Sequence, residues 1–181
     1  MIHFHSLETP QLERFLERHK AGLSLKDEVD LDLVLRQILQ KAFEFVPSES
    51  GSILLDDPFR KLVSRKDNEL VFIATFGDSS RNLIGTRLPA QHGIVGRVYQ
   101  TGTPHLSADV EKDQYFYGDI DAQIGHKTHS VVAVPVYIGK HVCGVLELIN
   151  RLEGKSFTRR DMTLLEIFAG YTSFTLQNAL D

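Results

Sequence analysis

The chain has 181 residues, 42% hydrophobic and 24% charged, with a net charge of −4. These proportions suit one soluble globular domain with an appended helix and a real core. There is no block of Lys and Arg to suggest a nucleic-acid or anionic-membrane surface. One cysteine excludes an intramolecular disulfide framework, and no apolar run reaches transmembrane length. Met1–Pro10 lacks a signal-peptide core, so the cytoplasm is the expected location.

Thr9-Pro10 opens the first predicted helix, with Thr as cap and Pro at the first helical position. Gly22 ends it, and residues 1–29 read as a small helical arm ahead of a main domain over 30–181. A stronger helix runs from Asp30 to about Val46. Its Leu31, Val34, Leu35, Ile38, Ala42 and Phe45 fall at helical spacing, and Pro47 stops it. Gly51–Leu55 and Leu70–Phe76 read as strands. Strict alternation in the second puts Phe72, Ala74 and Phe76 on one face. Gly85–Leu88 is a short edge strand ending at Pro89. Gly93–Tyr99 is a short helix stopped by Gly102. Its start has no side-chain cap, so its free N–H groups could hold an anion. Equally, Gly96 could serve close packing of the helix. Pro104–Ala108 is a brief strand, and Asp109–Lys127 is polar and irregular around Tyr115-Phe116-Tyr117, as functional loops often are.

Ser130–Tyr137 and Val142–Ile149 are apolar strands joined by a turn at Ile138-Gly139-Lys140, hence antiparallel neighbours in mid-sheet. Alternation gives Cys143, Val145, Glu147 and Ile149 one face. A carboxylate at Glu147 then requires either an ion-pair partner or a role in a pocket wall that recognises a ligand's N–H groups. Thr158 is a helix N-cap with Asp161 as its capping-box partner, and Phe157 and Met162 fit a hydrophobic staple. The final helix runs from Thr158 to Leu180. Strands joined by short turns, with helices at both ends, give an α+β domain. Its antiparallel sheet has about five to six strands. The terminal helices lie on one face, and the middle segment covers the other.

The sequence resembles the GAF domain, a PAS-like fold that serves as a regulatory module in cyclic-nucleotide phosphodiesterases and many bacterial signalling proteins. Three stretches carry the likeness: Gly51–Asp56, Leu88–Gly102 and Val142–Asp161. The last resembles the phosphodiesterase NKFDE motif, here Asn150, Arg151, Phe157 and Asp161, with Met162 in the Glu position. The resemblance implies a structural ion pair between Arg151 and Asp161. It also implies a cyclic-nucleotide pocket. In it Ser52 touches the base, Phe76 stacks on it, and Ile94 and Val95 offer N–H groups to the phosphate. Asp121 and Thr128 lie near ribose and phosphate, and Glu147 stands near the pocket. Gly77 replaces an Asp that can read the guanine edge, and Ile124 replaces a ligand-contacting Thr, so cGMP is not singled out: cAMP, another nucleotide or an unrelated small molecule are open as ligands.

The implied function is a sensory, non-catalytic module. It binds a small molecule, pairs as a homodimer through its terminal helices and drives an effector domain or protein. The alternative is a ligand-free GAF dimerisation module. Some GAF-fold proteins reduce free methionine sulfoxide, which needs a resolving thiol pair that one cysteine cannot supply. A bilin-attachment cysteine is likewise missing from the middle segment. His3 with His5, and His126 with His129, lack the further ligands a metal site needs.

Overall fold

The computed structural model describes residues 2–17, 31–60, 64–78, 80–116, 127–152 and 156–180. Four helices are present among them: α1 (Thr9–Glu17), α2 (Leu31–Phe45), α3 (Gly93–Thr101) and α4 (Arg159–Leu180). Seven strands form one antiparallel sheet: β1 (Phe4–Ser6), β2 (Ser48–Asp56), β3 (Glu69–Phe76), β4 (Arg87–Pro89), β5 (His105–Ser107), β6 (Val131–Ile138) and β7 (His141–Arg151). The spatial order is β1-β3-β2-β7-β6-β5, and β4 also pairs with β3. The fold is α+β as expected. The strand count exceeds the expectation because Phe4–Ser6, too short to show a pattern, adds to β3 with Phe4 opposite Phe76.

The sheet separates two cores. On one face, Leu31, Leu35 and Leu39 of α2 and Leu165, Ala169 and Leu176 of α4 pack with Ile53, Leu146 and Leu148 of the strands. These helix positions repeat every three or four residues, so each helix buries one stripe. On the other face, Val95, Val98 and Tyr99 of α3 pack with Leu54, Phe72, Ala133 and Val145. Leu12 of α1 is buried in the first core.

Two bulges reset which residues share a face. In β3, Ile53 pairs with Ala74 and Leu54 with Phe72, so Ile73 is extra. In β7, Val136 pairs with Gly144 and Tyr137 with Val142, so Cys143 is extra. An inserted residue inverts the alternation beyond it. Two expectations are corrected as a result. Phe72 faces α3 while Ala74 and Phe76 face the terminal helices. Cys143 likewise faces the helices, whereas Val145 and Ile149 stay on the α3 face. A Cβ on Gly144 would stand 2.1 Å from the Leu54 carbonyl oxygen, so the second bulge brings β7 against β2 in a way only glycine permits.

The start of α4 has the expected reciprocal cap. Asp161 N–H donates to Thr158 Oγ1 at 3.2 Å, and Thr158 N–H donates to Asp161 Oδ2 at 2.9 Å. Arg151 Nε donates to the same Oδ2 at 3.2 Å, and its guanidinium also reaches the Pro47 carbonyl. The cap and the ion pair therefore share one carboxylate. Phe157 is buried beside them.

Tyr137, at the end of the central hairpin, touches two helices. Its N–H donates to Ser173 Oγ on α4 at 2.8 Å, and its hydroxyl approaches the carbonyl of Gly102, the C-cap of α3, at 3.5 Å. At the hairpin turn, Gly139 N–H donates to Gln177 on α4.

Candidate functional site

The pocket face of β2 reads Ser50, Ser52, Leu54, Asp56. Ser52 lies directly between Thr75 of β3 and Glu147 of β7, which places a row of polar side chains across mid-sheet. A cavity opens over that row. The space inside it is about 70 Å³, well below the roughly 300–1,000 Å³ of small-molecule sites, so a nucleotide-sized ligand enters only if the walls move apart. Ser50, Ser52 and Glu147 form its floor with Phe72, Val131 and Ile149. Glu147 is only 6% exposed.

The walls come from outside the central strands. The first turn of α3 contributes Gly93, Ile94 and Val95. His92 caps this helix with extended backbone and makes no side-chain capping bond, and the first helical bond runs from Gly96 N–H to His92 O. The amides ahead of Gly96 therefore lack intrahelical acceptors at the cavity rim. Gly96 also has a packing role, since a Cβ there would come within 3.0 Å of the Ala90 carbonyl oxygen. This glycine-bounded helix start thus combines unbonded amides with close packing. Leu83 and Leu88, with Asp78 and Ser80, form a second wall, and Phe116 and Thr128 a third.

Thr128 is held from both sides by Asn150. The amide Nδ2 donates to Lys127 O at 2.8 Å and to Glu49 Oε2 at 2.7 Å. The amide oxygen accepts from His129 N–H at 2.6 Å and Ser130 N–H at 3.1 Å. Asn150 has φ 57, a left-handed conformation that asparagine tolerates better than most residues. The far end of α3 is fixed as well. Tyr99 donates its hydroxyl to Asp56 Oδ2 at 2.6 Å, and Arg65 lies 3.9 Å over its ring. Burial and the Asp56 charge push the Tyr99 phenol well above its ordinary range.

Of the residues assigned by resemblance, Ser52, Ile94, Val95, Thr128 and Glu147 line this cavity together. Asp121, Ile124 and His126 lie outside the described residues. Phe76 does not line it. Its ring packs 5.3 Å from Phe4 and 5.6 Å from Phe43 on the helix face, over Gly51, where a Cβ would come within 2.4 Å of it. Phe72 supplies the aromatic wall instead. Asp78, His92 and Phe116 also line the cavity and were not anticipated. They come from loops and a helix cap, where no periodicity marks a residue as inward-facing.

A family model described as "GAF domain" matches residues 28–177. The chain belongs to the GAF family. This GAF domain is 27% identical over 159 residues to a probable 3',5'-cyclic phosphodiesterase of Caenorhabditis elegans, covering 84% of the chain and 21% of that protein. It is 27% identical over 165 residues to the dual 3',5'-cyclic-AMP and -GMP phosphodiesterase 11A of Takifugu rubripes, covering 86% of the chain and 18% of the relative. The chain thus spans about a fifth of the length of these curated relatives. Among solved structures, residues 122 to 287 of a methyl-accepting chemotaxis protein superpose with a TM-score of 0.66 at 24% identity, covering 81% of this chain and 88% of that one. No described helix of this GAF domain is long and apolar enough to cross a membrane. No described group of three His, Cys, Asp or Glu side chains could hold a metal.

Proposed function

We propose that this GAF domain is a non-catalytic sensory module whose cavity binds a cyclic nucleotide, cAMP or cGMP. The observation that carries the reading is the chemical contrast between the cavity's wall and its floor. The first turn of α3 offers N–H groups suited to a phosphate, and Glu147 with Ser52 offers acceptors suited to the N–H edge of a base. The curated relatives, named as cyclic-nucleotide phosphodiesterases, support the ligand class. A thiol-based reductase is disfavoured, because Cys143 is buried on the face away from the cavity.

Thermal unfolding with cAMP and with cGMP tests this. A ligand at a hundredfold excess over its Kd adds about 2.7 kcal/mol of stability. Glu147→Ala should weaken binding at least about tenfold, or about 1.4 kcal/mol. Phe76→Ala should lower the melting temperature yet leave the affinity of the folded protein unchanged. No shift with either nucleotide would defeat the ligand assignment.

A second reading, a dimerisation module working through its helices without ligand, draws on the outer helix face. Ile167, Tyr171 and Phe174 form an exposed stripe on α4, with Phe45 exposed on α2. Under either reading the helices form the output, coupled to an effector domain or protein.

A further inference from the structure

We propose that His105, Asp113 and Arg97 are positioning residues of the cavity: they latch Tyr115 so that Phe116, next in the chain, stands as a wall over the ligand. The proposal rests on the reading of the cavity as a ligand site.

His105 lies on edge strand β5, opposite Ala133 of β6. Its Nε2 is 2.6 Å from Asp113 Oδ2, and the other carboxylate oxygen accepts the Tyr115 N–H at 2.8 Å. One carboxylate thus joins the sheet edge to the wall segment. The Tyr115 ring meets His105 edge-on at 5.9 Å and carries the Arg97 guanidinium 4.0 Å above it. Arg97 projects from α3, the helix whose first turn lines the same cavity. Phe116 donates its N–H back to Asp113 O at 3.3 Å and lines the cavity. The wall is therefore held by groups from two other elements, β5 and α3.

Burial raises the Asp113 carboxyl, but hydrogen bonds from His105, the Tyr115 amide and Ser107 outweigh it and hold the carboxyl below its ordinary range. A carboxylate is therefore the acceptor at the centre of the latch.

The chain has no tryptophan, so Phe116→Trp places a single fluorescent reporter in the wall. Acrylamide quenching of that reporter should be slow. Added to that reporter, Asp113→Ala and Arg97→Ala should each raise quenching severalfold with circular dichroism unchanged. His105→Ala should raise quenching as well, and His105→Gln, which keeps an N–H donor, should restore the shielding. Unchanged quenching in both the Asp113 and Arg97 variants overturns the proposal, as does a His105→Gln protein quenched as fast as His105→Ala. If the reporter protein does not fold, amide exchange at Tyr115 and Phe116 replaces it. Arg97→Ala should speed that exchange, and an unchanged rate overturns the latch. Quenching needs no ligand, so failure of cAMP and cGMP to bind defeats the ligand reading alone. A nucleotide-induced thermal shift alongside unchanged quenching defeats the latch alone.

Discussion

Asn150 joins two properties that mutation can separate. Its backbone is left-handed, and its buried amide bonds to groups on either side of Thr128. Asn150→Ala removes the amide and leaves a strained backbone, at an expected cost of about 2–4 kcal/mol. Asn150→Gly removes the amide but relieves the backbone, so it should cost about 1 kcal/mol less. Urea unfolding of the two variants measures the difference, and equal losses would refute the strain assignment. Asp57 gives a different test. Burial raises its carboxyl, but the 2.6 Å contact with Arg87 and backbone amides outweigh this and hold it below 3.8. Because the folded value is the lower one, its contribution is present above the unfolded value and fades as pH falls through the folded one. Asp57→Asn should therefore be less stable than the parent at pH 7, and the deficit should disappear in strong acid. Chemical denaturation across that range reads it. A deficit that persists at low pH would mean the carboxylate charge is not its source.

At the scale of elements, the bulge at Cys143 depends on the closeness of Gly144 to β2. Gly144→Ala should cost more than about 3 kcal/mol, because the Leu54 carbonyl is backbone and has nowhere to move. Gly170, inside α4 with open space around it, should respond oppositely, and Gly170→Ala should add about 0.5–1 kcal/mol. Thermal unfolding of both variants checks the pair. The same bulges explain what could be read from the chain. Helices and strands were legible because Gly and Pro punctuate them and their apolar positions repeat. The Thr158–Asp161 cap was legible because it is local, and Glu147 because one carboxylate interrupts an apolar run. Phe76 was placed in the pocket by resemblance, and the bulge at Ile73, which no alternation count reveals, turns it to the helix face. The latch was illegible for another reason. His105 and Asp113 meet only once β5 joins the sheet, and no spacing in the sequence encodes a contact between a strand edge and a loop.

For the molecule as a whole, one sheet keeps two jobs apart: the helix face supplies most of the packed core, and the opposite face holds the cavity. If the stripe of Ile167, Tyr171 and Phe174 pairs two copies, Phe174→Glu should shift light scattering from dimer to monomer without changing the melting curve of a single copy. A parent protein that is monomeric at high concentration would sink the dimer reading. The contacts of Tyr137 have a mechanical meaning. Asp161 anchors one end of α4, and Ser173 takes the hairpin's hydrogen bond about 18 Å further along the helix. This is a lever with a fixed fulcrum and a short input arm. A displacement of about 1 Å at Tyr137 tilts α4 by roughly 3° over that arm, and the travel grows in proportion with every further turn of helix.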